Sequence, residues 1–236
     1  MTHHSIAFGT ATIEYELIFT RRKSLGITVH PDQHVTVRAP LRTSTADIEA
    51  IVRKKGGWIL KKRQEFEDYP PAPPPRRYVS GETHLYLGHG YRLVVSEDKD
   101  QGIRLANGRL FLQTKDKNDL ARKKKLLENW YRQQAKIIFA ERLAVVYPSV
   151  AQFGIPYPEM KIRLMKSRWG SCSSKGNINL NLRLIQTPMA CIDYVIIHEL
   201  AHLKEHNHSP AYYNLLDKLL PDWREQREIL NRVQVA

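Results

Sequence analysis

The chain has 236 residues, which is enough for one large domain or two small ones. Hydrophobic residues make up 42% and charged residues 26%, a balance that is typical of globular proteins and argues against a disordered chain. No apolar stretch approaches the roughly 20 residues of a bilayer span, and the N-terminus lacks the pattern of a secretory signal. Only two cysteines are present, too few for a disulfide framework. We therefore expect no membrane partner and a cytoplasmic location.

The net charge of the chain is +13, from 37 Lys and Arg against 24 Asp and Glu. Basic residues are concentrated in "RKKGGWILKKR" (53–63) and "ARKKK" (121–125). Such charge attracts polyanions, so a nucleotide or a nucleic acid is a candidate partner. A basic run inside a helix is also typical of an ordinary solvated face. Both interpretations remain open at this stage.

The N-terminal half is predicted to be rich in strands. Alternating apolar and polar residues predict strands over 13–20 and 25–40, with a Pro-Asp turn at 31–32. Segments 84–95 and 103–114 predict two hairpins, the second turning at Asn107-Gly108.

One helix is predicted within this half, over 43–66. A Ser or Thr at 43–45 can cap it, and Gly56 and Gly57 can kink it. The Pro-rich stretch "YPPAPPPRR" (69–77) that follows predicts a stiff, extended loop.

The C-terminal half is predicted to be mostly helical. A long helix is expected over 119–147, with Pro148 just beyond its end. Segments 159–172 and 176–185 predict a hairpin. Three more helices are expected over 187–206, 210–220 and 222–233, the first capped by Thr187 with Pro188 at its first position. These elements predict an α+β protein with a β-rich region over 1–117, containing one helix and the Pro-rich loop, and an α+β region over 118–236.

The helix predicted over 187–206 carries the pattern HExxH. His198 and His202 are four residues apart, so they lie on one helix face about 6 Å apart along the axis. Two imidazoles so placed can bind one zinc ion. Glu199 projects near the same opening and can take a proton from a zinc-bound water.

A third histidine ligand can come from either of two positions. His206 continues the four-residue series, but it would lie about 12 Å from His198 along the helix. His208 is the better candidate, because Asn207 tolerates a left-handed conformation and can end the helix. The chain could then turn back and bring His208 to the metal.

Several long segments resemble the YgjP-like metallopeptidase family, and through it the SprT and WLM types of zincin protease. They are "RWGSCSSKGNINLN" (168–181), "IDYVIIHELAHLKEHNHSPAYY" (192–213) and "PDWREQREIL" (221–230). The N-terminal half is similar more weakly, in "VTVRAP", the Trp58 helix and "GETHLYLGHGY". The five-residue spacer before His208 also matches metzincins, but Glu205 stands where their Gly lies and no Met follows Met189, so the chain is not a typical metzincin.

The resemblance implies a zincin-like catalytic half in which the active-site helix packs on a small sheet. It also implies one zinc per chain, held by His198, His202 and His208, with Glu199 as the catalytic base. SprT-type proteases commonly act near DNA and can carry a separate zinc module. This sequence has no further Cys cluster, so no such module is expected.

Two other residues are candidates for contacts with the substrate or with an oxyanion. Arg168 precedes the active-site helix and could pair with an anion, although a structural salt bridge is an equal alternative. Tyr212 follows His208 within one helical turn and could donate to an oxyanion, as could Tyr213, although core packing is the simpler role. Cys172 could ligate metal, but three histidines suffice.

These observations predict a zinc-dependent metallopeptidase that cleaves protein or peptide substrates with a Glu-activated zinc-bound water. One alternative is a nucleoside triphosphate pyrophosphohydrolase at the same site, which the basic surface would suit. Such enzymes more often use Mg²⁺ and carboxylates. Another alternative is a nucleic-acid-associated protein with a structural zinc, although a base beside a three-ligand site disfavours it.

Overall fold

The computed structural model describes residues 2–30, 32–67, 75–165, 168–173 and 175–233. The fold is α+β, with a β-rich N-terminal half and helices in the C-terminal half, as predicted. Two compact units are present, Met1–Pro74 and Pro75–Ala236. The division therefore differs from the predicted one at 117/118. Strands over 83–114 belong to the second unit, because their Leu93, Leu110 and Leu112 side chains are buried in its core.

The first unit contains a four-stranded sheet. Its strands are β1 (Thr2–Phe8), β2 (Ala11–Thr20), β3 (Gly26–Val29) and β4 (Val35–Pro40), in the order β1-β2-β4-β3. Alternate residues Ile13, Tyr15 and Leu17 of β2 are buried, which is the two-residue period that the sequence shows. Strand β1 was not predicted. Pro31 of the predicted turn lies outside the described residues.

The helix predicted over 43–66 is two helices, α1 (Thr45–Lys54) and α2 (Gly56–Glu67). Ser44 caps α1 by accepting a hydrogen bond from the Asp47 backbone N–H at 3.1 Å. The break lies at Lys55, where the Phe8 ring packs against Gly56. A Cβ atom at residue 56 would lie 2.6 Å from Phe8 Cε2, so only glycine fits there. Most of the predicted Pro-rich loop, residues 68–74, lies outside the described residues.

We expect Gly56→Ala and Gly57→Ala to change stability in opposite directions. The first forces the Phe8 ring to shift and should lower the free energy of unfolding by about 1–3 kcal/mol. Gly57→Ala adds a Cβ in ordinary van der Waals contact, 3.9 Å from Phe8 Cζ, and should raise the free energy of unfolding by about 0.5–1 kcal/mol. Denaturant unfolding of both variants measures the difference, and equal midpoints would contradict the packing of Phe8 on Gly56.

The second unit begins with another four-stranded sheet. Its strands are β5 (Thr83–Tyr86), β6 (His89–Glu97), β7 (Gly102–Ala106) and β8 (Arg109–Thr114), in the order β5-β6-β8-β7. Both predicted hairpins are present. Asn107 and Gly108 have φ of 48° and 68°, as a type I′ turn requires.

Helix α3 (Leu120–Ala151) forms the long central helix of this unit and runs past Pro148, where the sequence had predicted its end. Asp119 caps it by accepting from the Arg122 backbone N–H at 2.8 Å. The last turn persists beyond the proline because Val146 and Val150 are buried in the core.

The hairpin predicted over 159–185 is instead a three-stranded sheet. Strands β9 (Met160–Arg163), β10 (Gly170–Cys172) and β11 (Ile178–Asn181) lie in the order β10-β11-β9. Strand β10 is antiparallel to β11, whereas β9 is parallel to it. A 3₁₀-helix (Leu182–Gln186) then replaces the expected continuation of the strand. As a consequence, β10 is an edge strand.

Helices α4 (Met189–Ala201), α5 (Pro210–Leu219) and α6 (Trp223–Arg232) complete the unit. Helix α4 starts after Pro188 rather than at a Thr187 cap, and it ends five residues before the predicted position. It contacts α3 on one side and strands β10 and β11 on another. The predicted packing of this helix on a small sheet is thus present. Among the described residues, no helix has the length and apolar character needed to cross a bilayer.

The β5–β6 hairpin is attached directly to the segment that precedes α4. The backbone N–H groups of Leu87 and Gly88 donate to the carbonyls of Ile185 and Gln186 at 2.9 and 3.2 Å. Gly88 has φ of 80°, and a Cβ there would lie 2.8 Å from Pro188 Cγ. The hairpin therefore helps to hold the start of α4 in place.

Candidate metal centre

Helix α4 and its C-cap residue hold three of the predicted site residues: His198 and Glu199 within the helix, and His202 at the cap. The helix is fixed because its other faces are buried, including Ile196 and Leu200, which are fully inaccessible. Its middle is tied to α3 by two hydrogen bonds from the Arg142 guanidinium to the Asp193 carboxylate, each of 2.7 Å. Paired hydrogen bonds of this kind restrict both position and orientation.

The chain turns sharply where α4 ends. His202 is the C-cap residue, and Glu205 N–H donates back to the Ala201 carbonyl at 2.9 Å. Helix α5 then starts at Pro210, with Ser209 as its cap, accepting from Tyr212 N–H at 3.3 Å. The turn brings His208 back toward α4.

The three predicted histidine ligands lie together. His208 Nε2 is 3.2 Å from His202 Nε2 and 3.4 Å from His198 Nε2. Nitrogens bound tetrahedrally to zinc at 2.0–2.1 Å lie about 3.4 Å from one another. His198, His202 and His208 are the group of potential ligands that the described residues bring within 4.8 Å. The separation of the donors fits one tetrahedral ion.

Hydrogen bonds to the other ring nitrogens orient two of these imidazoles. His202 Nδ1 lies 3.0 Å from the Glu205 carbonyl oxygen, which can only accept, so Nδ1 carries the proton and Nε2 has a free lone pair. His198 Nδ1 lies 2.7 Å from the Tyr212 hydroxyl, which can in turn donate to the His198 carbonyl at 3.3 Å. An N–H at His208 Nε2 could donate to the lone pair of His198 Nε2 or to that of His202 Nε2, but not to both. A cation, in contrast, can be bound by all three nitrogens.

The environment keeps His198 and His208 neutral, which is the protonation state that binds metal. Burial and the neighbouring imidazoles of His202 and His208 lower the pKa of His198 to about 3. Burial and His202 likewise lower the pKa of His208.

Glu199 lines the same cleft as the three histidines and is 5% exposed. Its carboxylate has no hydrogen bond or ion pair to another described residue. Burial raises its pKa to about 7, and the charge of Arg168 acts in the opposite direction. Gly170 makes space for it, since a Cβ there would lie 2.7 Å from Glu199 Cγ and 2.8 Å from Cδ.

The site opens into a cleft of about 740 Å³. Edge strand β10 and Ser173 form one wall, and the histidines form the other. Arg168 is exposed at this cleft, and its guanidinium is not paired with another described residue, so its role as a substrate contact stays a prediction.

Asn181 holds the segment that carries Arg168, a role that the sequence did not suggest. Its side-chain amide donates to the carbonyls of Met165 and Arg168 at 2.9 and 2.8 Å. Its oxygen accepts from the N–H groups of Met165 and Arg183 at 3.3 and 3.1 Å. A single sequence does not show which buried side chain will hydrogen-bond a neighbouring segment, nor which glycine will lie against another side chain. Neither Asn181 nor Gly170 was therefore predicted.

Tyr212 is positioned differently from an oxyanion donor. It is fully buried, and its hydroxyl contacts His198 Nδ1, on the side of the imidazole away from the converging nitrogens. It therefore orients the His198 imidazole rather than facing the cleft. His206 Nδ1 lies 3.0 Å from the His202 carbonyl, and His206 lines the cleft outside the three-histidine group. The Cys172 thiol donates to the Ser173 carbonyl at 3.4 Å, and burial raises its pKa.

A sequence model of the YgjP-like metallopeptidase domain matches residues 23–233. The chain belongs to this family. A comparison with curated protein sequences gives no match. Among solved structures, the chain is similar to the metallopeptidase zymogen of Pyrococcus abyssi abylysin, with 27% identity over 40% of this chain and 90% of that chain. The TM-score of this match is 0.34. Family membership supports a hydrolase and implies a bound metal, which the three-histidine group fits.

We expect Tyr212→Phe to weaken metal binding by about 10- to 100-fold, because His198 Nδ1 loses the partner that orients it. Competition with a chelator, at a temperature where the variant is folded, measures the change. Tyr213→Phe is the matched control, since its ring stacks on His208 and Trp223 and phenylalanine keeps both contacts. Equal affinities of the two variants would contradict the role of Tyr212.

Proposed function

We propose that this protein is a zinc-dependent metallopeptidase, with His198, His202 and His208 as zinc ligands and Glu199 as the catalytic base. The observation that carries the proposal is the convergence of three Nε2 atoms next to a buried, unpaired carboxylate. Both lie in a cleft bounded by an edge strand.

The donor set favours zinc over magnesium. Imidazole nitrogens suit zinc, whereas Mg²⁺ prefers oxygen ligands and keeps several waters. Three protein ligands also leave a fourth position open, which is typical of catalytic rather than structural zinc sites. The donor chemistry therefore supports hydrolysis more than a structural role, and it disfavours the magnesium-dependent nucleotide hydrolase.

In peptide hydrolysis, the metal ion and Glu199 would have different roles. The ion, when bound, would polarise the scissile carbonyl and lower the pKa of a water molecule. Glu199 would accept a proton from that water and later give it to the leaving amine. Its burial suits this role, because a carboxyl group with a raised pKa can both accept and return a proton near neutral pH.

Strand β10 and Arg168 would position the substrate. An extended peptide can pair with the free edge of β10, which places its backbone along the cleft. Arg168 is an unpaired cation at the same wall and could stabilise the developing oxyanion or bind a substrate carboxylate. In this proposal Asn181 fixes the position of Arg168 by donating a hydrogen bond to the Arg168 backbone carbonyl.

The first test is the metal content of purified protein by elemental analysis. We expect about one zinc per chain in the wild type and in Glu199→Gln, and a sharp loss in His208→Ala. His206→Ala is the matched control, because His206 lies in the same turn but outside the three-histidine group, and it should retain zinc. Loss of zinc in His206→Ala with retention in His208→Ala would contradict the proposed ligand set.

The reaction is tested with the same variants. Wild-type protein should cleave unfolded casein, and Glu199→Gln should hold zinc without cleaving it. Release of pyrophosphate from a nucleoside triphosphate, without casein cleavage, would replace this proposal with the nucleotide hydrolase. Zinc binding with neither reaction would favour a structural site.

Gly170→Ala should separate catalysis from metal binding. Its Cβ would displace the Glu199 carboxylate while leaving the histidines in place, so we expect peptidase activity to fall by about 100-fold with zinc content unchanged. Gly102→Ala is the control, because a Cβ there has nothing within 4 Å. Normal activity in Gly170→Ala would show that Glu199 tolerates displacement and would weaken its assignment as the base.

A further inference from the structure

An exposed tryptophan surrounded by cations lies on α1 and α2 in the first unit. Residues 50–64 contain six Lys and Arg residues and no Asp or Glu. Trp58, in the middle of this run, is 43% exposed. We refer to Arg53, Lys54, Lys55, Trp58 and Lys61 as the α1–α2 basic patch; all five are exposed.

The packing of α2 determines the direction in which this patch points. Gly56 contacts the Phe8 ring, and Ile59 is fully buried. Because successive helical residues are rotated by about 100°, Trp58 and Lys61 lie on the opposite face. The side chain of Trp58 is therefore held toward solvent by the core contacts of its neighbours.

Lysines flank the indole on both sides along the helices. Lys61 follows Trp58 by three residues, and Lys55 precedes it by three. The helical hydrogen bonding continues across the break, since Ile59 N–H donates to the Lys55 carbonyl at 2.9 Å. Cations thus extend over about 10 Å along the axis, from Lys54 to Lys61. No cation of the α1–α2 basic patch is in an ion pair with another described residue.

We propose that the α1–α2 basic patch binds single-stranded nucleic acid, with Trp58 stacking on an unpaired base and the adjacent cations contacting phosphates. Base–aromatic stacking combined with a positively charged track is the usual means of binding single strands. Bases in a duplex already stack on one another, so an exposed indole selects unpaired ones. This inference does not depend on the metal centre.

An anionic membrane is the other polyanionic surface that lysines and tryptophan can bind. Interfacial helices, however, need a broad apolar face. Here the residues next to Trp58 on the outward face are Gly57, Lys61 and Lys62. Among the described side chains of α1 and α2, the other exposed large hydrophobic one is Ile51, seven residues before Trp58, so the apolar surface is narrow. The patch is therefore better suited to stacking than to insertion.

The test is binding of a fluorescently labelled oligo-dT of about 20 nucleotides to the full chain. Four cations that each neutralise one phosphate predict that log K falls with log salt with a slope of about −3. Trp58→Ala should weaken binding by about 5- to 100-fold, and Trp58→Phe should retain most of it, because phenylalanine still stacks. Intrinsic fluorescence should be quenched by unlabelled oligo-dT in the wild type, and Trp58→Phe should lose this signal.

The double variant Lys54→Glu with Lys55→Glu should reduce the salt slope by about half. Its matched control is Lys115→Glu with Lys117→Glu, the same charge change at exposed lysines of the second unit, which should leave the slope unchanged. Because these positions are exposed, melting temperatures should match the wild type, and the lysine pair tests the proposal independently of any effect of Trp58→Ala on folding.

Three results would overturn the proposal. Unchanged affinity in Trp58→Ala would exclude stacking. An equal loss of oligo-dT affinity and of salt slope in the two double lysine variants would indicate diffuse attraction of the oligonucleotide to a basic protein. A blue shift of Trp58 emission with phosphatidylserine–phosphatidylcholine vesicles, without quenching by oligo-dT, would indicate a membrane surface instead.

Discussion

The candidate metal centre depends on where α4 ends. If the helix had continued, His208 would lie about 9 Å beyond His202 along the axis and could not reach it. Instead the chain turns after Ala201, and the two Nε2 atoms are 3.2 Å apart. The hydrogen bond from His202 Nδ1 to the Glu205 carbonyl both stabilises this turn and leaves Nε2 free to bind metal. Backbone conformation and ligand protonation are therefore set by the same contact.

The rest of the second unit holds this turn in position. The Arg142–Asp193 pair connects α4 to α3, and Tyr212 connects His198 to α5. On the sheet side, Gly170 allows β10 to lie close to Glu199, and Asn181 holds the segment that carries Arg168. Such contacts matter because a small displacement of a ligand lowers metal affinity, and a small displacement of a base lowers the reaction rate.

Local patterns in the sequence predicted the fold class, most helices, both hairpins of the N-terminal half and the family. The spacing of His198, His202 and His208 also predicted residues that the structure brings together, although their role as ligands stays a proposal. The failures concern tertiary effects. The parallel pairing of β9 with β11 joins strands that are not consecutive in the chain, which a local window does not show. A kink at Gly56 and Gly57 was expected, but the packing of Phe8 on Gly56 was not visible in the sequence. Tyr212 was a candidate oxyanion donor, with core packing as the simpler role; it is buried, and the contact of its hydroxyl with His198 Nδ1 could not be predicted from the sequence.

The hairpin formed by β5 and β6 has a consequence for how this protein can be divided. Its backbone hydrogen bonds reach the 3₁₀-helix just before α4, and the strands over 83–114 bury leucines in the same core as α3 and α4. A fragment beginning at residue 118 would contain every histidine of the candidate centre, yet it would expose that leucine-lined surface to water. The smallest autonomous module that contains the candidate centre is therefore larger than the HExxH motif and its helices, and it includes the β-sheet that precedes them.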